Sequence, residues 1–111
     1  MSNHKKYDFS VLGVSEVYAG PGGKLWELLM GEQIHVGGPE QTKILAENIG
    51  LEDPSDDLVL LDICSALGGP ARQVARDYEI NVVGLDITPE MVEEAIKRTK
   101  NEPYADKIEY R

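Results

Sequence analysis

Residues Leu58 to Ala75 read LVLLDICSALGGPARQVA, and this stretch decides the fold. Leu58 to Ile63 is an apolar run broken only by Asp62 near its end, the pattern of a strand buried on both faces, as in parallel sheets. A turn of small residues follows, Cys64-Ser65-Ala66-Leu67-Gly68-Gly69. Ala71, Val74, Ala75 and Tyr78 then recur at i, i+3, i+4 and i+7, one apolar helical face, with Pro70 in the first turn. Strand, small-residue turn and helix N-terminus together make a nucleotide-cofactor site. Small side chains let the backbone approach a ligand, and a helix start offers unpaired N–H groups.

A second apolar strand, Asn81 to Leu85, ends in Asp86. A carboxylate there, about 20 residues past the turn, is placed to accept both hydroxyls of a ribose. The wording around the two acids sharpens the reading. LDICSALGGPARQVA together with VVGLDITPEMVEEA resembles motif I and the following acidic motif of the class I S-adenosylmethionine (SAM) methyltransferases. The nicotinamide fingerprint G-x-G-x-x-G matches less well, because no glycine stands at Cys64 or Ala66. The methyltransferases also usually carry glycine at those two positions, and only Gly68 of the three is kept. The resemblance implies the N-terminal part of a Rossmann-like, doubly wound α/β sheet with parallel strands near 58–63, 81–86 and 107–110, preceded by helices. It divides the chain into a helical lid or lead-in segment, 1–57, and the first half of a SAM-binding domain, 58–111.

Composition bounds the partners. The 111 residues carry a formal charge of −9, with a pI near 4.6. Nucleic acid is held mainly through Lys and Arg on phosphates, and no basic stripe is present. No apolar run is long enough to span a bilayer, and MSNHKKYDFS lacks the apolar core of a signal peptide. A single cysteine makes no intrachain disulfide, which fits a reducing cytoplasm. His4, His35 and Cys64 show no metal-ligand spacing.

Taken in order, residues 1 to 10 read as a mobile polar terminus. Val11 to Tyr18 reads as a short helix or turn, and Gly20-Pro21-Gly22-Gly23 as a break. Leu25, Leu28 and Leu29 share a helical face that Gly31 can end. Trp26 and Met30 beside it read as packing residues, with ligand contact as the second reading. A loop, GEQIHVGG, leads to a helix over Glu40 to Asn48 with Ile44, Leu45 and Ile49 as its apolar face and Gly50 as its stop. Thr88-Pro89 starts another helix, with Val92, Ala95, Ile96 and Thr99 inward. Its pairs Glu93–Lys97 and Glu94–Arg98 read as solvated surface.

The segment from Tyr18, YAGPGGKLWELLMGEQIHVGGPEQTKILAENI, is similar to the lead-in of phosphoethanolamine and sarcosine/dimethylglycine N-methyltransferases. On that resemblance Tyr18 is the lid tyrosine and the one catalytic candidate, with packing onto the first helix as its other reading. Ile34 and His35 match the loop that touches SAM, His35 standing where the relatives have a small residue, so a solvated or core-satisfied histidine is its alternative. Asp62, Cys64, Ala66 and Gly68 match the turn around the methionine part, and Asp86 and Ile87 the ribose and adenine contacts. The implied reaction moves the methyl group of SAM to a small amine nitrogen, leaving S-adenosylhomocysteine. The sulfonium is already a good leaving group, so alignment and water exclusion carry the chemistry. Only three strands are legible, and in the family's fold a fourth lies against the one at Leu58–Ile63. The expectation is a split enzyme, completed by a second polypeptide or a missing C-terminal half, with pairing of two copies as a further option. The competing class is a degenerate, non-catalytic subunit that regulates a partner.

Overall fold

The computed structural model describes residues 10–111; the expectation for the terminus falls, up to residue 9, outside them. Five α-helices and three strands follow in the order α1 (Val11–Ala19), α2 (Pro21–Met30), α3 (Gly38–Asn48), β1 (Val59–Ile63), α4 (Gly69–Tyr78), β2 (Asn81–Leu85), α5 (Pro89–Thr99) and β3 (Ile108–Tyr110), with one 3-10 turn, Ala105–Lys107, before β3. The sheet is parallel throughout, in the order β1-β2-β3, with Leu60 opposite Val82 and Val82 opposite Ile108. The α/β class and the three expected strands are therefore present.

The core lies on one face of this sheet. Ala71, Val74 and Ala75 of α4 are buried against Val82, with Leu60, Ile108 and Tyr110 packed around them. Ala71 and Ala75 are 0% and 1% exposed, so α4 sits on the strands with only methyl groups between the backbones. Gly84 serves the same closeness: a Cβ there would stand 2.7 Å from the Tyr110 ring and 3.0 Å from Ser65 Oγ.

On the opposite face, β1 is left uncovered by the described residues. Strand side chains alternate between faces, and Val59, Leu61 and Ile63 remain 53%, 55% and 68% exposed. The expected burial of this strand on both sides is thus corrected: an apolar run reports what a strand can bury, and here the second layer is missing among the described residues.

The lead-in helices differ from expectation for the same reason. Residues 20–23 are no break; Gly20 alone separates α1 from α2, and Gly22 and Gly23 lie inside the second helix. A Cβ on Gly23 would collide with the Tyr18 carbonyl, so the glycine lets the two helices touch. Leu25, Leu28 and Leu29, read as an inward stripe, are 55%, 81% and 69% exposed. In α3 the buried residues are Gly38, Thr42 and Ala46, while Ile44, Leu45 and Ile49 stay exposed. In α5, Met91, Ala95 and Thr99 turn inward, and Ile96 does not.

Arg98 is also more than a solvated charge. It pairs with Glu94 at 2.9 Å and reaches across to Glu27 of α2 at 2.5 Å, fastening the lead-in to the sheet domain; Lys97 pairs with Glu94, not with Glu93. A second fastening runs from buried Arg72 of α4 to Glu32, with the same guanidinium donating to the Leu67 carbonyl at 2.8 Å and to Thr99 Oγ1 at 3.2 Å.

Candidate functional site

The C-terminal ends of β1 and β2 open into a cavity of about 900 Å³. Parallel strands place ligands at this end because the chain must leave each strand there and turn back through a helix. Tyr18 of α1, Ile34 and His35 of the loop after α2, Asp62 near the end of β1, Cys64 and Ala66 after it, and Asp86 and Ile87 after β2 all line it. Eight of the nine residues singled out in the sequence are thus brought together. The ninth, Gly68, stands behind the turn as the N-cap of α4 at φ +75°, where a Cβ would strike the Tyr110 ring. Its glycine is required by packing and backbone rather than by the cavity.

Asp86 organises the turn. Its Oδ2 accepts from the Ala66 N–H at 2.8 Å and its Oδ1 from the Thr88 N–H at 2.9 Å. An ionised carboxylate has about four lone-pair sites, so each oxygen keeps one for a ligand. Thr88 caps α5 without a side-chain bond to the helix; its hydroxyl instead lies 3.3 Å from Ser15 Oγ of α1.

Strain gathers on the same cavity. Ile34, Cys64 and Ala66 hold φ values of +43°, +61° and +46°, a left-handed region that β-branched and bulky residues avoid. Such conformations cost on the order of 1–3 kcal/mol each and persist where the surroundings enforce them. The start of α4 is covered as well: a Cβ on Gly69 would meet Gln33 Cγ at 2.8 Å and Glu32 O at 3.1 Å, so the loop, and not open solvent, faces the helix N-terminus.

That loop is held by a polar network which the sequence reading missed, for want of any spacing signal. The His35 Nδ1 lies 3.1 Å from the Val36 carbonyl, an acceptor only, and so carries a proton. Its Nε2 is 3.1 Å from Gln33 Oε1 and 3.0 Å from Thr42 Oγ1, and Thr42 donates to Gln33 Oε1 at 2.6 Å. Gln33 donates on to Gln73 of α4, which donates to the Pro39 carbonyl at 2.9 Å. His35 is therefore tied into loop, α3 and α4 while still facing the cavity.

Two buried polar atoms at the turn, Asp62 Oδ2 and Ser65 Oγ, have no partner among the described residues. Burial raises the Asp62 pKa, the His35 charge opposes this, and the neighbouring Asp86 reinforces it. A cationic or hydrogen-bond-donating group beside Asp62 would relieve the cost of that buried oxygen. Ser65 lies inside the decisive stretch, and its sequence context marks it only as a small turn residue.

No family model matches the sequence, and no curated protein matches it. Solved structures do. A phosphoethanolamine N-methyltransferase of Haemonchus contortus, in complex with S-adenosyl-L-methionine, superposes with a TM-score of 0.78 at 26% identity, covering 93% of this chain and 24% of that one. A protein of Galdieria sulphuraria assigned as a sarcosine dimethylglycine methyltransferase matches at TM-score 0.68 and 17% identity, covering 85% of this chain and 41% of that one. The cyclase SpnF matches at TM-score 0.74 and 20% identity, covering 92% of this chain and 42% of that one. The chain thus spans less than half the length of each of these proteins. The resemblance read from the two acid-terminated strands stands: the chain is similar to SAM-dependent methyltransferases, the phosphoethanolamine and sarcosine/dimethylglycine enzymes among them, and has their α/β fold.

Proposed function

We propose that this chain is the SAM-binding N-terminal part of a methyltransferase, completed by a second polypeptide or by further C-terminal sequence. The observation that carries this is the Asp86 carboxylate bonded to the Ala66 amide, which joins the two acid-terminated strand ends over one cavity. Residues 1–57 serve as lid and lead-in, and 58–111 as the first half of the cofactor domain.

The residues present fit the cofactor. The unpartnered Asp62 Oδ2 suits the ammonium of the methionine part, and the remaining lone pairs of Asp86 suit the ribose hydroxyls. Ile87, 65% exposed beside Asp86, offers an apolar surface to the adenine ring. Ile34, His35, Cys64 and Ala66 line the same cavity and would hold the rest of the methionine part. When bound, SAM supplies an activated methyl group. The chain's own residues orient it, exclude water, and place Tyr18 at the mouth, where its hydroxyl can hold the nucleophile. The methyl acceptor is a small amine, on the strength of the lead-in's likeness to the phosphoethanolamine enzymes. A cytoplasmic location agrees with the single thiol.

The second reading, a non-catalytic subunit that regulates a partner, is favoured by one feature. Cys64 and Ala66 fill left-handed positions with side chains, which narrows and strains the turn. Calorimetry with SAM and S-adenosylhomocysteine separates the two. Micromolar binding is expected, and Asp86→Ala weakens it at least about tenfold, roughly 1.4 kcal/mol. No binding, by the chain alone or with its completing half, overturns the cofactor reading.

A further inference from the structure

We infer that Arg72 is a positioning residue for the cofactor: its buried guanidinium ties the turn after β1 to the loop after α2, and so sets how tightly SAM is held. The inference rests on the cofactor reading and adds to it a residue that does not line the cavity itself. The Arg72 side chain, in α4, is 7% exposed. Its Nη1 donates to the Leu67 carbonyl at 2.8 Å and to Thr99 Oγ1 at 3.2 Å, and its Nη2 donates to Glu32 Oε1. Leu67 belongs to the turn that carries Cys64 and Ala66; Glu32 belongs to the loop that carries Ile34 and His35. Two walls of the cavity therefore meet on one side chain.

The turn needs such a hold. Cys64 and Ala66 keep left-handed backbone at φ +61° and +46°, conformations that persist only where neighbours enforce them. Asp86 holds the Ala66 N–H, and Arg72 holds the carbonyl of the next residue, Leu67. The Tyr110 hydroxyl completes the cluster, 3.1 Å from Thr99 Oγ1 and donating to the Gly68 carbonyl at 3.4 Å. The loop rests on the start of α4, where a Cβ on Gly69 would stand 3.0 Å from Gln33 Cα, and the Arg72–Glu32 pair fastens it there. Arg98, 4.0 Å from Glu32, adds a weaker pull. Leu67, Arg72 and Thr99 are all buried, so a lost partner is not replaced by water. A planar fork of five donors serves turn, α5 and loop at once, whereas a lysine ammonium is a compact point on a flexible stem.

The test combines amide exchange without SAM and calorimetry with it, on the whole chain. The Ala66 and Gly68 amides report on the turn and the Ile34 amide on the loop, each being hydrogen-bonded. Arg72→Lys should speed the exchange of all three at least about tenfold and weaken SAM binding at least about tenfold. Glu32→Gln, at a half-exposed side chain, should speed Ile34, leave Ala66 and Gly68 unchanged, and weaken SAM binding about threefold. Millimolar guanidinium chloride, far below denaturing concentrations, should restore SAM affinity to Arg72→Ala, and ammonium chloride at the same concentration should not. A residue that only stabilises the fold gives no such selective rescue. Unchanged SAM affinity in Arg72→Lys, exchange that accelerates equally throughout β2 and α5, or no guanidinium rescue of a folded Arg72→Ala overturns the proposal. Should Arg72→Ala fail to fold, the Arg72→Lys and Glu32→Gln outcomes decide. Absence of SAM binding by the unaltered chain sinks the cofactor reading instead, and exchange at Ala66, Gly68 and Ile34 still decides whether Arg72 joins turn and loop.

Discussion

The two faces of β1 carry the same kind of side chain and meet different fates. Leu60 packs under α4 beside Val82, which is 1% exposed, while Val59 and Leu61, one position either way, are more than half exposed. A strand's apolar content therefore records a capacity for two contacts, and the covering element decides which is realised. The lead-in behaves alike. Gly23 and Thr42 are buried where helices cross, and the leucines of α2 face outward. Among the described residues, the α4 face of the sheet is covered, and on the other face Val59, Leu61 and Ile63 of β1 stay exposed.

Matched truncations sharpen that contrast most strongly. Val82→Ala removes buried methyl groups and should cost about 2–3 kcal/mol in chemical denaturation. Val59→Ala, the same change on the bare face, should fall within about 0.5 kcal/mol. Equal costs would mean that the bare face is covered in solution.

The fastening of the lead-in comes next. Arg98→Ala removes a charge-assisted pair with Glu27 and should destabilise the chain by about 1 kcal/mol, read as faster amide exchange in α2 with little change in β2. Uniform acceleration throughout would show the lead-in and the sheet opening as one unit.

The smallest effect is electrostatic. Burial raises the pKa of Asp62 above its ordinary value of 3.8, so the folded state holds that proton more tightly than the unfolded one. Stability from this group is then lost as pH rises from about 4 through the folded value, and the ionised group costs stability above it. Asp62→Asn should raise the melting temperature by a few degrees at neutral pH, leave it unchanged below about pH 4, and weaken SAM binding. A lower melting temperature at neutral pH would show that the carboxylate already has a partner.

Much of the fold and the site was legible because the signals are local. Parallel strands ending in Asp62 and Asp86, the helix after Pro70 and the helix after Thr88 follow from periodicity and capping chemistry within about one turn or one strand. The convergence of those ends on one cavity follows from the rule that ligands sit beyond the carboxyl ends of parallel strands.

What only the tertiary structure decided depends on partners far apart in sequence. Which leucines are buried, why Gly68 must be glycine against Tyr110, how Gln33, His35, Thr42 and Gln73 lock the loop, and that Arg98 spans to Glu27 are set by neighbours from other elements. A side chain's sequence context specifies its preference for water or for a partner, whereas packing supplies the partner. On the outer edge of β1 the preference is written in the apolar run from Leu58 to Ile63, and no element among the described residues meets it.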